Sequence, residues 1–249
     1  MAMEPVAAAP SEQSPHRGVV LPQFHVGHRF KCKVPLEFDT EKFVVKTVDN
    51  TRELKRVLRL RYDVYYKELI ERNRLRKVDR DRFDARGDHL AVIEKSSNEV
   101  VATYRLFCST FTRRFYSETE FDIDAIKELP GDKLELGRAC VRKEYRKGVM
   151  IILLWRAIAH YLRATGARYL FGCSSVKTVS IPQIAKVHAI LSRMHFAPPQ
   201  YRVYPRPKHR IKDLAEHTSV WENVEMVDRG ARSRTFSHRC CISTWSWGA

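Results

Sequence analysis

The chain has 249 residues, 44% of them hydrophobic, and a formal net charge of +16. That length supports one large core or two small ones, and the charge predicts an acidic partner: nucleic acid, an anionic membrane face or an acidic carrier protein. With no run near the roughly 18 apolar residues of a membrane span, no secretory pattern at the start and six cysteines outside any metal-ligand spacing, the composition speaks against a spanning, secreted or zinc protein and for a cytoplasmic one with reduced thiols, either free or peripheral on the inner membrane.

Residues 1–35 are rich in Ala, Pro, Ser and Gln without periodicity and read as a disordered lead-in. Phe43–Val48 reads as a first strand. Over 51–74 the period is helical, with Leu54, Val57, Leu58, Val64, Tyr65 and Leu69 on one face and Arg61 among them. An arginine on that stripe either snorkels or points inward to a task. The charged turn Val78–Asp84 follows. His89–Glu94 and Val100–Phe107, separated by the turn residues Ser96–Glu99, predict an antiparallel hairpin. A long, partly helical excursion spans 111–130. A strand over 134–141, a helix over 149–164 and a strand over 167–173 then form a crossover unit, followed by a helix over 181–194. The expected fold is α/β (α+β): a mixed, twisted central sheet with helices on both faces, in one domain over 36–225.

The stretch Glu135–Gly148 carries the most chemistry. Glu135 and Arg138 are ionisable groups in an otherwise apolar strand, and buried charges need partners or a task. The basic turn Arg142–Gly148 leads into a helix, and a strand, amide-rich basic turn and helix N-terminus together can hold an anionic cofactor arm.

The charged residues recur in a fixed order: Arg61 and Tyr65 on the first helix, Asp81 and Asp84 in the turn, Arg105 on the third strand, Glu135 and Arg138 on the fourth. This order resembles the acyl-carrier-dependent branch of the GNAT-like N-acyltransferase fold, which includes acyl-homoserine-lactone synthases. The segments Phe83-Asp84, Asp88–Leu90, Thr103–Leu106, Phe115–Glu118, Glu120–Asp122, Glu135–Arg138, Leu153–Trp155 and Phe171–Ser174 are similar, in order and spacing, to ornithine N-acyltransferases. The similarity runs over about 43–215, and it is the collinear set that carries it.

The resemblance implies transfer of a (3-hydroxy)acyl group from acyl carrier protein to the α-amine of L-ornithine, giving lyso-ornithine lipid, with the reacting groups around a splayed strand pair. An amine attacks a thioester only as the free base, so a carboxylate such as Glu135, acting directly or through water, is the expected proton acceptor, with a structural ion pair to Arg138 or Arg105 as the competing reading. Asp81 and Asp84 would grip the distal ammonium or cap the turn. Arg105 would clamp the substrate carboxylate or orient the acids. His89 reads as a satisfied strand-end histidine. Amides of Ala139, Cys140 and Val141 are candidates to meet the oxyanion, and the acyl-phosphopantetheine of the carrier would run beside them, with its phosphate near 145–149. Tyr145–Met150 holds the single glycine Gly148, which favours one phosphate over the pyrophosphate of coenzyme A. Arg142, Lys143, Arg146 and Lys147 would dock the acidic carrier. No metal, no permanently bound cofactor and no nucleic acid are expected; an anionic membrane surface is a further candidate partner.

Two departures from the family pattern stand out. Ser174–Lys177 replaces a small-Phe-x-Gly pattern after Gly172-Cys173. The stretch 226–249 is atypical, ending His238–Gly248 where relatives close near Tyr-Leu-x-Leu-Gly-Ala. One allowed codon spelling of that ending, shifted by two bases, encodes Ser-Leu-Leu-His-Gln-Tyr-Leu-Glu-Leu-Gly, which suggests a tail read out of frame. Cys240, Cys241, Trp245 and Trp247 would then have no selected role and the tail no order. The competing functions are acylation of glycine or another amino acid, lactone synthesis, a basic nucleic-acid platform, and an inactive relative.

Overall fold

The computed structural model describes residues 30–69, 75, 77–146, 148–176, 178–221 and 242–245. Strands β1 (Glu37–Asp39) and β2 (Phe43–Thr47) precede helix α1 (Thr51–Tyr62), then come β3 (Asp88–Glu94), β4 (Val100–Cys108), β5 (Phe121–Asp122), α2 (Asp124–Lys127), β6 (Lys133–Val141), α3 (Val149–Thr165), β7 (Tyr169–Ser174), α4 (Ile181–His195), β8 (Tyr204–Pro205), α5 (Leu214–Ser219) and β9 (Ile242–Trp245). Seven of the strands form one sheet in the order β1-β2-β3-β4-β6-β7-β9. The sheet is antiparallel as far as β6 and parallel from there through β7 to β9. The hairpin comes from the turn at Ser96–Glu99. The parallel step comes from α3, because two parallel neighbours need a crossover.

Each strand alternates its side chains between two cores. Leu90, Val92, Leu106, Leu134 and Leu136 pack under α3 through Leu153, Leu154, Ala157 and Ile158. On the opposite face Ala91, Ile93, Val100 and Cys140 meet Val57, Leu60 and Val64 of the α1 segment. Further along that face a third cluster joins Phe107 and Phe171 to Phe115, Phe121 and Ile126 of the 111–130 excursion. Helices therefore cover both faces, as the alternation predicts.

Asn50 caps α1 by accepting the Glu53 amide at 2.9 Å. Beyond Tyr62 the helix widens into π-type turns over Asp63–Leu69, a local underwinding frequent at functional sites. The helical period over 51–74 is thus followed to 69, and 70–74 lie outside the described residues. β1, unforeseen in the sequence, pairs with β2 at the sheet edge. Within the atypical tail, Ile242–Trp245 runs parallel to β7, with Phe171 opposite Ile242. Those four residues are a strand rather than disordered chain. The rest of 226–249 and residues 1–29, with Cys240, Cys241 and Trp247, lie outside the described residues.

Candidate active site

Two irregularities in the sheet build the site. The first is in β6. Thr103 faces Cys140 and Arg105 faces Gly137, so Arg138 and Ala139 together oppose Tyr104. This β-bulge puts Arg138 at φ 53°, a left-handed conformation rarely taken by a non-glycine residue and often kept where function requires it. The second is the parting of β6 from β7. Their pairing covers Lys133–Glu135 against Tyr169–Phe171 and ends there. At the apex a Cβ on Gly172 would sit 2.2 Å from the Leu136 carbonyl oxygen, so glycine alone permits the close approach from which the strands diverge. Past Glu135 and Phe171 both strands run on beyond that register, to Val141 and Ser174, which is the splayed pair expected.

The charged side chains converge on the bulge. Arg61 is fully buried on α1. Its Nε donates to Asp79 at 2.7 Å and one terminal nitrogen donates to Asp84 at 2.7 Å. Arg105, on β4, donates to both Asp81 oxygens at 2.7 Å and to Asp84 at 2.8 Å. Arg138 donates to Asp81 at 3.2 Å and its Nε lies 4.0 Å from Asp79. Three arginines and three aspartates form one alternating network, which satisfies charges that burial would otherwise penalise. The turn geometry is set by the same acids, with Asp84 accepting the Asp81 amide at 2.7 Å and Asp81 accepting the Phe83 amide at 2.8 Å. These two hydrogen bonds are the turn-capping reading of the aspartates.

Burial alone would push the aspartates up. For Asp81 the guanidinium groups of Arg105, Arg138 and Arg61 outweigh it and hold the carboxyl at about 2. For Asp84 burial is likewise outweighed, by Arg61 and Arg105, and the carboxyl sits below its ordinary range. Both are therefore anionic at neutral pH. Burial lowers His89 to about 4. Its Nε2 lies 2.9 Å from the Asp84 carbonyl oxygen, so it is a neutral donor that braces the turn.

Exposure separates these side chains. The Arg105 side chain is 1% exposed, and its hydrogen bonds among the described residues go to Asp81 and Asp84. The side chains of Asp81 and Arg138 are partly exposed, at 21% and 30%. The Nε of Arg138 has no hydrogen-bond partner among the described residues. Tyr65 donates its hydroxyl to the Ala139 carbonyl, fixing the bulge from the π-turn segment, and burial raises its pKa. Tyr116 lies over both guanidinium groups, with Arg138 at 5.3 Å and Arg105 at 5.4 Å from its ring centre.

Glu135 sits apart from this network. It is 1% exposed and accepts the Tyr116 amide at 2.7 Å, the Ser117 amide at 2.6 Å and the Ser117 hydroxyl. No ion pair to Arg105 or Arg138 forms among the described residues. Burial raises its pKa, partly offset by the Ser117 hydrogen bonds. Through these bonds Glu135 anchors the excursion to β6. Its partner Ser117 has its hydroxyl 3.2 Å from the sulfur of the partly exposed Cys173.

On the donor side, Ala139 is exposed at the bulge, whereas Cys140 is buried against α1 and its thiol is pushed up to about 12 by burial, far from a nucleophile. Val141 packs its side chain toward the α3 core and accepts Arg146 Nε at 3.0 Å. Of the basic turn, Arg142 is paired with Glu99 at 2.7 Å and Arg146 with Glu68. Lys143 is exposed, and Lys147 lies outside the described residues. Gly148, at φ 74°, starts α3, whose first turn has no acidic side chain and no side-chain cap. Among the described residues no cluster of His, Cys, Asp and Glu suits a metal ion.

Three members of the site are new to the sequence reading: Asp79, Tyr116 and Ser117. Asp79 had a visible signal in the acid-base alternation Val78–Asp84. Tyr116 and Ser117 lie in the segment Phe115–Glu118 that carries part of the resemblance, but only the fold of the excursion brings them to Glu135.

The chain is similar to known proteins over the same segments. A family model described as an acetyltransferase (GNAT) domain matches residues 60–156, from Arg61 through the bulge to the start of α3. The fold and the site thus define an acyltransferase of the GNAT class. Curated relatives named L-ornithine N(alpha)-acyltransferase include one from Rhodobacter capsulatus, 31% identical over 186 residues, 70% of this chain and 72% of the relative. Another from Rhizobium meliloti is 36% identical over 154 residues, 56% of this chain and 51% of the relative, and one from Agrobacterium fabrum is 34% identical over 161, 59% and 54%. The chain spans 72% of the first and about half of each of the others. A solved structure, the AHL synthase LasI, overlaps 51% of this chain and 70% of its own at a TM-score of 0.38 and 15% identity. The chain belongs to the L-ornithine N(alpha)-acyltransferase family.

Proposed function

We propose that the chain transfers a (3-hydroxy)acyl group from acyl carrier protein to the α-amine of L-ornithine, forming lyso-ornithine lipid. The reading rests on family membership together with one observation: an anionic Asp81 and a donor-bearing Arg138 side by side at the mouth of a strand gap. An amino acid with a distal ammonium and an α-carboxylate has the matching charges. Asp81 takes the ammonium, and the partly exposed guanidinium of Arg138 takes the carboxylate. Arg61, Arg105, Asp79 and Asp84 are the buried frame that keeps these two groups ionised and oriented.

The thioester arm enters the gap between β6 and β7, with the carbonyl beside the bulge at Ala139–Val141, where backbone amides stabilise the oxyanion. Its single phosphate lies at the uncapped N-terminus of α3 and Gly148. Arg142, Lys143, Arg146 and Lys147 face the acidic carrier. Two of them exchange intramolecular carboxylates, Glu99 and Glu68, for those of the partner. Proton removal from the α-amine falls to Glu135 acting through water admitted with the substrate, since both Glu135 and its partner Ser117 are buried in the free chain.

Glycine has no distal ammonium, so acylation of glycine would leave Asp81 without a task. Incubating the chain with 3-hydroxyacyl carrier protein and a panel of free amino acids, followed by mass detection, tests the proposal. It predicts acylornithine as the main product. Equal acylation of glycine, or transfer from acyl coenzyme A in preference to the carrier, contradicts it.

A further inference from the structure

Helix α3 buries Met150, Leu153, Leu154, Ala157, Ile158 and Tyr161 against the sheet, which accounts for one face. The opposite face of its first two turns is also apolar. Val149 is 54% exposed, Ile151 49%, Ile152 66% and Trp155 42%. Four large apolar side chains on one outward patch are unusual in a chain of net charge +16. Positions 149, 152, 156 and 163 recur at helical spacing along one stripe, so the apolar patch runs directly into Arg156 and Arg163, both exposed. Among the described residues neither arginine has a carboxylate partner. Arg156 stacks on the Phe38 ring at 4.6 Å, and Arg163 contacts His160. The arginines of the preceding turn differ, being tied to Glu99 and Glu68.

We propose that this outward face of α3 rests on an anionic lipid bilayer, with Val149, Ile151, Ile152 and Trp155 in the headgroup–acyl boundary and Arg156 and Arg163 on the acidic headgroups. An amphipathic helix lying in the plane of the interface takes this form: a narrow apolar face, an aromatic ring with a polar handle at its margin and cations alongside. The charge of the whole chain favours the same surface. A carrier protein would be recognised chiefly through its acids, and the residues suited to that are in the turn before α3. The lipid surface adds a consequence that rests on the proposed function: the acylated product, an amphiphile, is released where it is soluble.

The test uses the full chain without substrates, so its outcome is separable from that of the acylation assay. The chain is mixed with phosphatidylcholine vesicles and with vesicles of equal phosphatidylcholine and phosphatidylglycerol, and sedimentation and tryptophan emission are recorded. The anionic vesicles should retain the chain and shift the emission to the blue, with the shift lost in Trp155→Phe. Ile152→Glu should weaken retention at least tenfold, and joint Arg156→Glu and Arg163→Glu should abolish the preference for phosphatidylglycerol. Three results overturn the proposal: no retention on either vesicle, retention unchanged in Ile152→Glu, or a lipid-free dimer that Ile152→Glu dissociates, which would assign the face to a second copy.

Discussion

Asp81→Asn removes the one partly exposed aspartate of the network, and its cost is readable from the structure. Arg105 and Arg138 hold the Asp81 carboxyl at about 2 in the folded chain against an ordinary 3.8. A folded value below the unfolded one adds stability above the unfolded value, and that stability is lost as pH falls through the folded value. The shift corresponds to about 2 kcal/mol at neutral pH, of which roughly half is gone by pH 3. Asparagine forgoes that amount and also leaves Arg105 with one weaker acceptor in place of a carboxylate. Urea unfolding followed by circular dichroism at pH 7 and at pH 3 measures it. The wild type should exceed Asp81→Asn by about 2 kcal/mol at pH 7 and by about half as much at pH 3. Ornithine-dependent turnover should show a much larger KM in the same variant. A stability difference independent of pH would refute the assignment of Asp81 as the depressed carboxylate of the network.

Other perturbations reach different parts of the account. Glu135→Gln keeps one acceptor oxygen for the three donors of Tyr116 and Ser117, so it should destabilise by roughly 1–3 kcal/mol and collapse turnover; near-normal turnover removes the proton-transfer role and leaves the anchor. The Glu135 carboxyl is raised, so wild-type stability relative to Glu135→Gln should be greatest in acid and decline as pH rises through the folded value. Gly172→Ala forces a Cβ onto the Leu136 carbonyl and should unfold the chain at clearly lower urea or displace β7; a variant as stable as wild type contradicts the tight apex. Reversing Arg142, Lys143, Arg146 and Lys147 to Glu should raise the KM for carrier protein strongly at low salt, and wild-type carrier binding should weaken with added salt. An unchanged constant moves docking elsewhere.

The fold was legible because its signals are local. Short apolar runs marked β3 and β4, the turn Ser96–Glu99 joined them, and a longer apolar run after Gly148 marked α3. The convergence of Arg61, Asp81, Asp84, Arg105 and Arg138 was legible through resemblance, which gives an order along the chain without distances. What stayed hidden depends on backbone irregularity or long-range folding. The bulge at Arg138 has one cue, the neighbouring Gly137, and a glycine in a strand does not say which residue bulges. The π-type turns that bring Tyr65 to Ala139 look like ordinary helix in a hydrophobic pattern. The anchoring of Tyr116 and Ser117 by Glu135 joins segments 18 and 19 residues apart through an excursion of irregular backbone. For the same reason the sequence left open whether Arg105 binds substrate or orients the acids, and Asp79 was passed over beside its two neighbours.

The most direct measurement is a crystal structure of the chain with L-ornithine bound. It should place the distal ammonium within about 3 Å of an Asp81 oxygen, the carboxylate at Arg138, and the α-amine facing the gap between β6 and β7 beside Ala139. Ornithine bound away from Asp81 and Arg138, with the buried network undisturbed, would contradict the account.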